Sequence, residues 1–264
     1  MTSLVEVSNM FFHYPRARTK GGEINWTLQD ISLKIEAKST VGIVGESGSG
    51  KSTLIRVMCA LLHHQQGNVS FNGQDVSQYH GDKANELRRE NQIVFQNPRR
   101  SLDPRMTIRR SLSEPIRALH GRNPDDAEII ANIERVGLGI EVLSRFPHQL
   151  SGGQLQRVGI ARSLSVKPTI LYADEPVSAL DVSVQAQVLN LMMDLRDELG
   201  LTLVMVSHDL GVVSRMCEQI IVMRHGRIVE AGQTESVLAN PQSDYTAALL
   251  KAARAASLER ESQG

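Results

Sequence analysis

The residues most clearly suited to chemistry are Gly45-Glu46-Ser47-Gly48-Ser49-Gly50-Lys51-Ser52. They fit GxxxxGK[ST] at every position, with a β-branched strand predicted before them over 40–44 and a helix after them over 52–62. Glycines let a backbone wrap closely around phosphates, so that several N–H groups and the positive end of the following helix face one anion. The Lys51 ammonium is expected to reach the β- and γ-phosphates of a nucleotide, and the Ser52 hydroxyl to bind Mg²⁺. Thr53, the next helical residue, joins the candidate nucleotide contacts. A Gly/Ser-rich turn matching by chance is disfavoured because strand, loop and helix signals coincide.

A second constellation is Ile170-Leu171-Tyr172-Ala173-Asp174-Glu175, a buried strand ending in two adjacent acids. Neighbouring side chains on a strand point to opposite faces, so the two carboxylates are expected to address different atoms. Asp174 is assigned the metal side and Glu175 the role of base, polarising the water that attacks a phosphoryl group. Acids at a strand end are often only solvated; the phosphate loop in the same chain is what makes this pair a site.

These groups need a scaffold. A chain of 264 residues can bury a sizeable core. Its 29 Lys+Arg balance 29 Asp+Glu, so no global field directs it to nucleic acid or an anionic surface. Cys59 and Cys217 form no CxxC pair and read as buried thiols. No apolar run approaches the roughly 20 residues that cross a bilayer. Residues 1–9 carry acidic Glu6 and no basic segment followed by an apolar core, which argues against a secretion signal. The chain is therefore expected in the cytosol, reaching a membrane only by docking on another protein's helices.

Strand patterns at 4–8 and 31–35 flank a polar loop at 15–23. Residues 98–167 turn helical, over 107–119, 125–136 and 153–165, with Asn123-Pro124-Asp125 as a helix start. After Pro168 short apolar runs at 170–173, 202–206 and 220–223 read as parallel strands, separated by helices such as 183–199. The expected fold is α/β: a P-loop NTPase core of mostly parallel sheet with flanking helices and an N-terminal antiparallel β portion, carrying an inserted α-helical subdomain. The expected divisions are 1–97 for the β portion and phosphate-loop part, 98–167 for the helical subdomain, 168–240 for the rest of the core and 241–264 for a helical tail.

Many nucleotide enzymes have phosphate loops, and the absence of NKxD disfavours a GTPase. What decides the class is Leu150-Ser151-Gly152-Gly153-Gln154 followed by Gln156-Arg157, which resembles the signature of the ABC ATPases. Ser151 can cap a helix, and two glycines expose N–H groups at its positive end, making a second phosphate-binding surface. The resemblance implies that Ser151, Gly152, Gly153 and Gln154 close over ATP held by a second ATP-binding subunit, in a head-to-tail dimer. It also implies roles for other positions. Gln96 resembles the glutamine that touches Mg²⁺ and water, and Ser178-Ala179-Leu180-Asp181 the loop between subunits. His208 resembles the switch histidine that contacts the γ-phosphate. Tyr14 is assigned to adenine stacking, with Phe12 or His13 as the other rings to consider. The match extends over about residues 4–250.

Two further segments are similar to the peptide and nickel importer (Opp/Dpp-like) branch: Gln96-Asn97-Pro98 leading to Ser101-Leu102-Asp103-Pro104-Arg105-Met106-Thr107, and Asn240-Pro241 followed by Asp244-Tyr245-Thr246-Ala247-Ala248-Leu249-Leu250. The plain readings are a Pro-bounded helix start and a surface helix with an apolar stripe. The resemblance implies a peripheral subunit on the cytoplasmic face of the cell membrane, with ATP and Mg²⁺, two permease subunits, an indirect link to an extracytoplasmic solute-binding protein and no nucleic acid. Alternatives are an exporter or lipid-extracting ABC ATPase, or a soluble one outside transport. Lys51→Ala is expected to cripple ATP binding or turnover, whereas Glu175→Gln is expected to bind ATP and hydrolyse it slowly. Calorimetric titration and phosphate release distinguish them, and full turnover by Glu175→Gln removes Glu175 as the base.

Overall fold

Strands that are apolar on both faces are stable only where both faces are covered. Thr40–Val44, Ile170–Asp174 and Thr202–Val206 meet that condition, with every residue buried. They belong to a computed structural model that describes residues 3–15 and 24–261, with side chains as far as 255. The loop expected over 15–23 lies almost wholly outside the described residues. The chain divides into two compact units, Met1–Gln78 with Val204–Gly264, and Tyr79–Leu203.

In the first unit, a four-stranded antiparallel sheet runs in the order Leu28–Glu36, Ser3–Phe12, Gln66–Phe71, Gln74–Asp75. Val5, Val7, Met10, Phe12, Leu28, Ile31 and Ile35 form its buried face. The other strands of this unit carry the phosphate loop. Thr40–Val44 pairs in parallel with Gln219–Arg224, which turns back through His225 and Gly226 to pair antiparallel with Arg227–Gln233. The helix after the loop is Lys51–Met58, shorter than the 52–62 expected from apolar spacing. The chain leaves it at Ala60, whose φ of +55° is left-handed, and Leu61 is exposed.

In the second unit, Asn91–Val94 pairs in parallel with Ile170–Asp174. Tyr172 is fully buried, and its hydroxyl donates to Asn91 Oδ1 at 3.5 Å. Between these strands lie the helices Ile108–His120, Asp126–Arg135 and Gly152–Leu164. Each starts on a side-chain cap that accepts a backbone N–H: Thr107 from Arg110, Asp125 from Glu128, and Ser151 from Gln154. Arg122 adds a two-pronged pair with Glu128, at 2.8 Å for each prong. The hydrogen bond from Arg122 is the main cause holding the Glu128 carboxyl below its ordinary value. Among the described residues, no helix is long and apolar enough to cross a membrane.

The last helix, Asp244–Glu261, is tied back by Glu230 on strand Arg227–Gln233. The Glu230 carboxylate accepts the backbone N–H groups of Gln242 at 2.8 Å and Ser243 at 3.1 Å. Burial pushes this carboxyl up, but the hydrogen bonds donated to it outweigh burial and hold it below its ordinary value of 4.5. A lowered folded-state pKa means that the stabilisation is complete above the ordinary value and is lost as pH falls through the lowered one. Glu230→Gln is therefore expected to lower the melting temperature at pH 7 by about 2 °C. Melting curves of both proteins should converge as the pH is taken below the carboxylate range.

Candidate functional site

The strand Thr40–Val44 delivers the chain into a loop whose geometry only glycine tolerates at two points. Gly45 has φ +150°, and a Cβ there would stand 2.2 Å from the Met223 carbonyl oxygen. Gly50 caps the following helix with φ +105° and ψ 0°. The crest of the loop, Glu46, Ser47 and Gly48, is exposed, while Ser49 and Lys51 beneath it are buried. The Lys51 ammonium, on a residue only 6% exposed, donates to the carbonyls of Gly45 and Glu46, both at 2.8 Å. The loop is thus wound around its own cation. Gly226 N–H donates to Ser49 O at 3.0 Å, so the turn after Gln219–Arg224 supports the loop from below. The Ser49 hydroxyl is buried, with no hydrogen-bond partner among the described residues.

Tyr14 is 38% exposed, and its hydroxyl lies 3.3 Å from Thr53 Oγ1 on the loop helix. Phe12, one of the alternative rings, is 3% exposed and packs edge-on against Tyr14, so it has no free face to offer a base. The His13 ring stands edge-on to Trp26, with centroids 5.3 Å apart. Tyr14 is the ring of the three placed beside the loop helix. His208 is exposed just beyond strand Thr202–Val206. Ser207 N–H donates to Ile43 O at 3.2 Å, and Asp209 caps the next helix through Gly211 N–H at 2.8 Å. His208 is therefore held between two anchored neighbours.

In the second unit the two acids part company. The strand ends at Asp174, which is 4% exposed, and Glu175 follows with a left-handed φ of +46°. The alternation expected of two strand residues does not apply: a turn, not the pleat, separates the two carboxylates. The Gln96 side-chain amide donates to Glu175 Oε2 at 2.8 Å and to Ser178 Oγ at 3.2 Å. Gln96, Glu175 and Ser178 thus share one hydrogen-bonded cluster. Ser178 was not expected in it, because sequence separation conceals a contact made by two loops.

The start of helix Gly152–Leu164 carries a reciprocal cap. Ser151 Oγ accepts Gln154 N–H at 3.2 Å, and Gln154 Oε1 accepts Ser151 N–H at 3.0 Å. Ser151 and Gly152 are exposed, leaving the positive end of the helix open. A Cβ on Gly153 would stand 2.5 Å from Val184 Cγ1, so this glycine lets helix Val182–Leu199 pack closely. Asp181 caps that second helix, accepting Val184 N–H at 3.0 Å and the Ser183 hydroxyl at 2.8 Å. The Val184 N–H, then the Ser183 hydroxyl, hold its carboxyl below the ordinary range.

The candidate Mg²⁺ donors, the Ser52 hydroxyl, Gln96 amide oxygen and Asp174 carboxylate, are hard oxygen ligands of the kind Mg²⁺ takes beside phosphate. Among the described residues no cluster of three or more His, Cys, Asp or Glu offers an all-protein metal cage. Sequence reasoning missed the floor of the phosphate loop, where the Met223 carbonyl and Gly226 amide act, because backbone groups carry no residue-type signal.

The sequence profile of the ABC transporter family matches residues 28–178. The chain is 46% identical over 227 residues to a dipeptide transport ATP-binding protein of Haemophilus influenzae, covering 85% of this chain and 69% of that one. It is 45% identical over 228 residues to a glutathione import ATP-binding protein of Salmonella paratyphi A, covering 85% of this chain but only 36% of that longer one. Its fold matches a dimeric ATP-binding cassette in a post-hydrolysis state with ADP and phosphate, at TM-score 0.77 and 29% identity, over 87% of this chain and 98% of that one. With its loop, its cap and its paired acids, the chain belongs to the ABC transporter family, as an ATPase similar to the Opp/Dpp-like branch.

Proposed function

We propose that this chain is the nucleotide-binding subunit of an importer, hydrolysing Mg-ATP to drive uptake of peptides through a partner permease. The observation that carries this reading is the presence of two separate helix starts suited to phosphate, one at Gly50-Lys51 and one at Ser151-Gly152. One ATP needs only one loop, so the second start is left for ATP held by another subunit. A head-to-tail dimer follows, with two ATP molecules clamped across it. The relatives named for dipeptide transport and glutathione import support a peptide-like cargo.

In this reading Lys51 and the exposed loop amides neutralise the β- and γ-phosphates, and Tyr14 meets the adenine. Glu175 polarises the attacking water, and His208 orients it toward the γ-phosphorus. Catalysis is then mostly positioning and charge stabilisation. Mg²⁺, held by Ser52, Gln96 and Asp174, would supply electrostatic stabilisation of the phosphoryl oxygens. Gln96 bonds to Glu175, so any movement of the segment after Gln96 reaches the base directly. Loss of the γ-phosphate removes ligands that bridge the dimer, which then opens. Two permease subunits would hold the chain at the cytoplasmic face of the membrane, and the solute-binding protein would act on the far side. The segment around Gln96 to Ile116 is the part proposed to pass this motion to a permease's cytoplasmic helix, with 98–167 as the helical subdomain and 1–97, 168–240 and 241–264 forming the ATPase core and tail.

Tagged Glu175→Gln, gently solubilised from native membranes with ATP, is expected to bring down two permease subunits and a second ATPase. Recovery of ribosomes, DNA-repair proteins or no membrane protein would sink the transport reading and leave an ATPase of other purpose.

A further inference from the structure

The segment 244–250, readable as a plain surface helix with an apolar stripe, places one side chain against the phosphate loop. The Tyr245 hydroxyl accepts the backbone N–H of Glu46 at 3.1 Å. The carbonyl of the same Glu46 accepts the Lys51 ammonium at 2.8 Å. Residue 46 is therefore gripped from both sides, by the tail helix at its N–H and by the loop's own cation at its C=O. It lies on the exposed crest of the loop.

The tyrosine is itself held in place. Arg224 lies over its ring, 4.8 Å from the centroid, a cation–π contact. Arg224 ends the strand Gln219–Arg224 directly after Met223, whose carbonyl lies under Gly45. Glu230, on the antiparallel partner strand, fixes the residues that lead into the helix. Thr246 and Leu250 are buried and seat the helix start. One β-hairpin thus supports both ends of the contact: the loop from beneath, and the tyrosine that reaches its crest.

We infer that Tyr245 is a positioning residue for the phosphate loop: the tail helix holds the crest in its nucleotide-ready shape and so sets the affinity for ATP. A crest already ordered by the tyrosine has less freedom to lose when phosphates dock, and that saving shows as tighter binding. The hydroxyl meets the loop backbone at the Glu46 N–H, so its effect falls on binding and not on the chemical step. The inference rests on the reading that the loop Gly45 to Ser52 holds ATP.

The test uses the full chain and Mg-ATP, by isothermal titration and steady-state hydrolysis, on wild type, Tyr245→Phe and Lys51→Ala. Tyr245→Phe keeps the ring and its contact with Arg224 and removes only the acceptor. One neutral hydrogen bond corresponds to about a three- to tenfold rise in Kd and KM for ATP. The kcat at saturating ATP should stay within about twofold, the pattern of lost binding that is uniform along the reaction. The nucleotide-free melting temperature should stay within about 1 °C of wild type. Unchanged affinity in Tyr245→Phe, with Lys51→Ala defective, overturns the inference while the loop reading stands. Tighter binding in Tyr245→Phe also overturns it, because the hydroxyl would then be competing with phosphate for the Glu46 N–H. A joint fall in kcat and melting temperature would mark a merely structural tyrosine. Normal binding and normal turnover by Lys51→Ala together remove the loop reading itself, whatever Tyr245→Phe does.

Discussion

A buried ammonium must be met by acceptors, since an ion taken out of water without partners is far too costly to keep. In this protein the acceptors are the carbonyls of Gly45 and Glu46, and the ammonium is that of Lys51. That one constraint organises the first unit. For both carbonyls to face inward, the chain must turn through backbone angles that glycine supplies at positions 45 and 50. The backbone must also approach Met223 so closely that no Cβ fits at position 45. The buried strand Thr40–Val44 and the hairpin of Gln219–Arg224 and Arg227–Gln233 supply the rigid floor for this. The crest above the lysine, Glu46 to Gly48, is left exposed.

The second unit applies related physics with different parts. There the device proposed to face phosphate is a helix start with a reciprocal Ser151–Gln154 cap, left open to solvent. Its position is set by the close approach of helix Val182–Leu199 over Gly153, and that helix is in turn capped by Asp181. The Gln96–Glu175–Ser178 cluster joins two loops that follow adjacent parallel strands, Asn91–Val94 and Ile170–Asp174. Parallel strands deliver their C-terminal loops to the same edge of a sheet, which is why groups 79 residues apart can share one hydrogen bond.

Local patterns were legible wherever a single segment carries its own signal. The phosphate loop, the cap at Asp125, the strand 202–206 and the Ser151 helix start all rest on residues within a few positions of one another. Errors arose where the signal ended before the structure did. The apolar run after residue 58 suggested a longer helix, yet Ala60 takes a left-handed turn and the helix stops at Met58. The pair Asp174-Glu175 suggested strand alternation, yet the strand stops between them. The strands Gln66–Phe71 and Arg227–Gln233 were not anticipated, because Gln66, Gly67 and Asn68 in the first and Arg227, Glu230, Gly232 and Gln233 in the second interrupt any apolar pattern, and both take their identity from the strands they pair with.

By itself, the sequence determined the class of chemistry: which residues could cradle phosphate, which acids could serve a metal and a water, and which family those motifs belong to. These are statements about residue type at short spacing, and the chain carries them wherever it goes. The tertiary structure decided which groups meet. It set Gln96 on Glu175, placed the Met223 carbonyl beneath Gly45, left Tyr14 and not Phe12 as the accessible ring, and brought Tyr245 across 199 residues of chain to the Glu46 amide. Such contacts depend on strand order, register and backbone atoms, which every residue shares, and so they leave no mark that one segment of sequence could show.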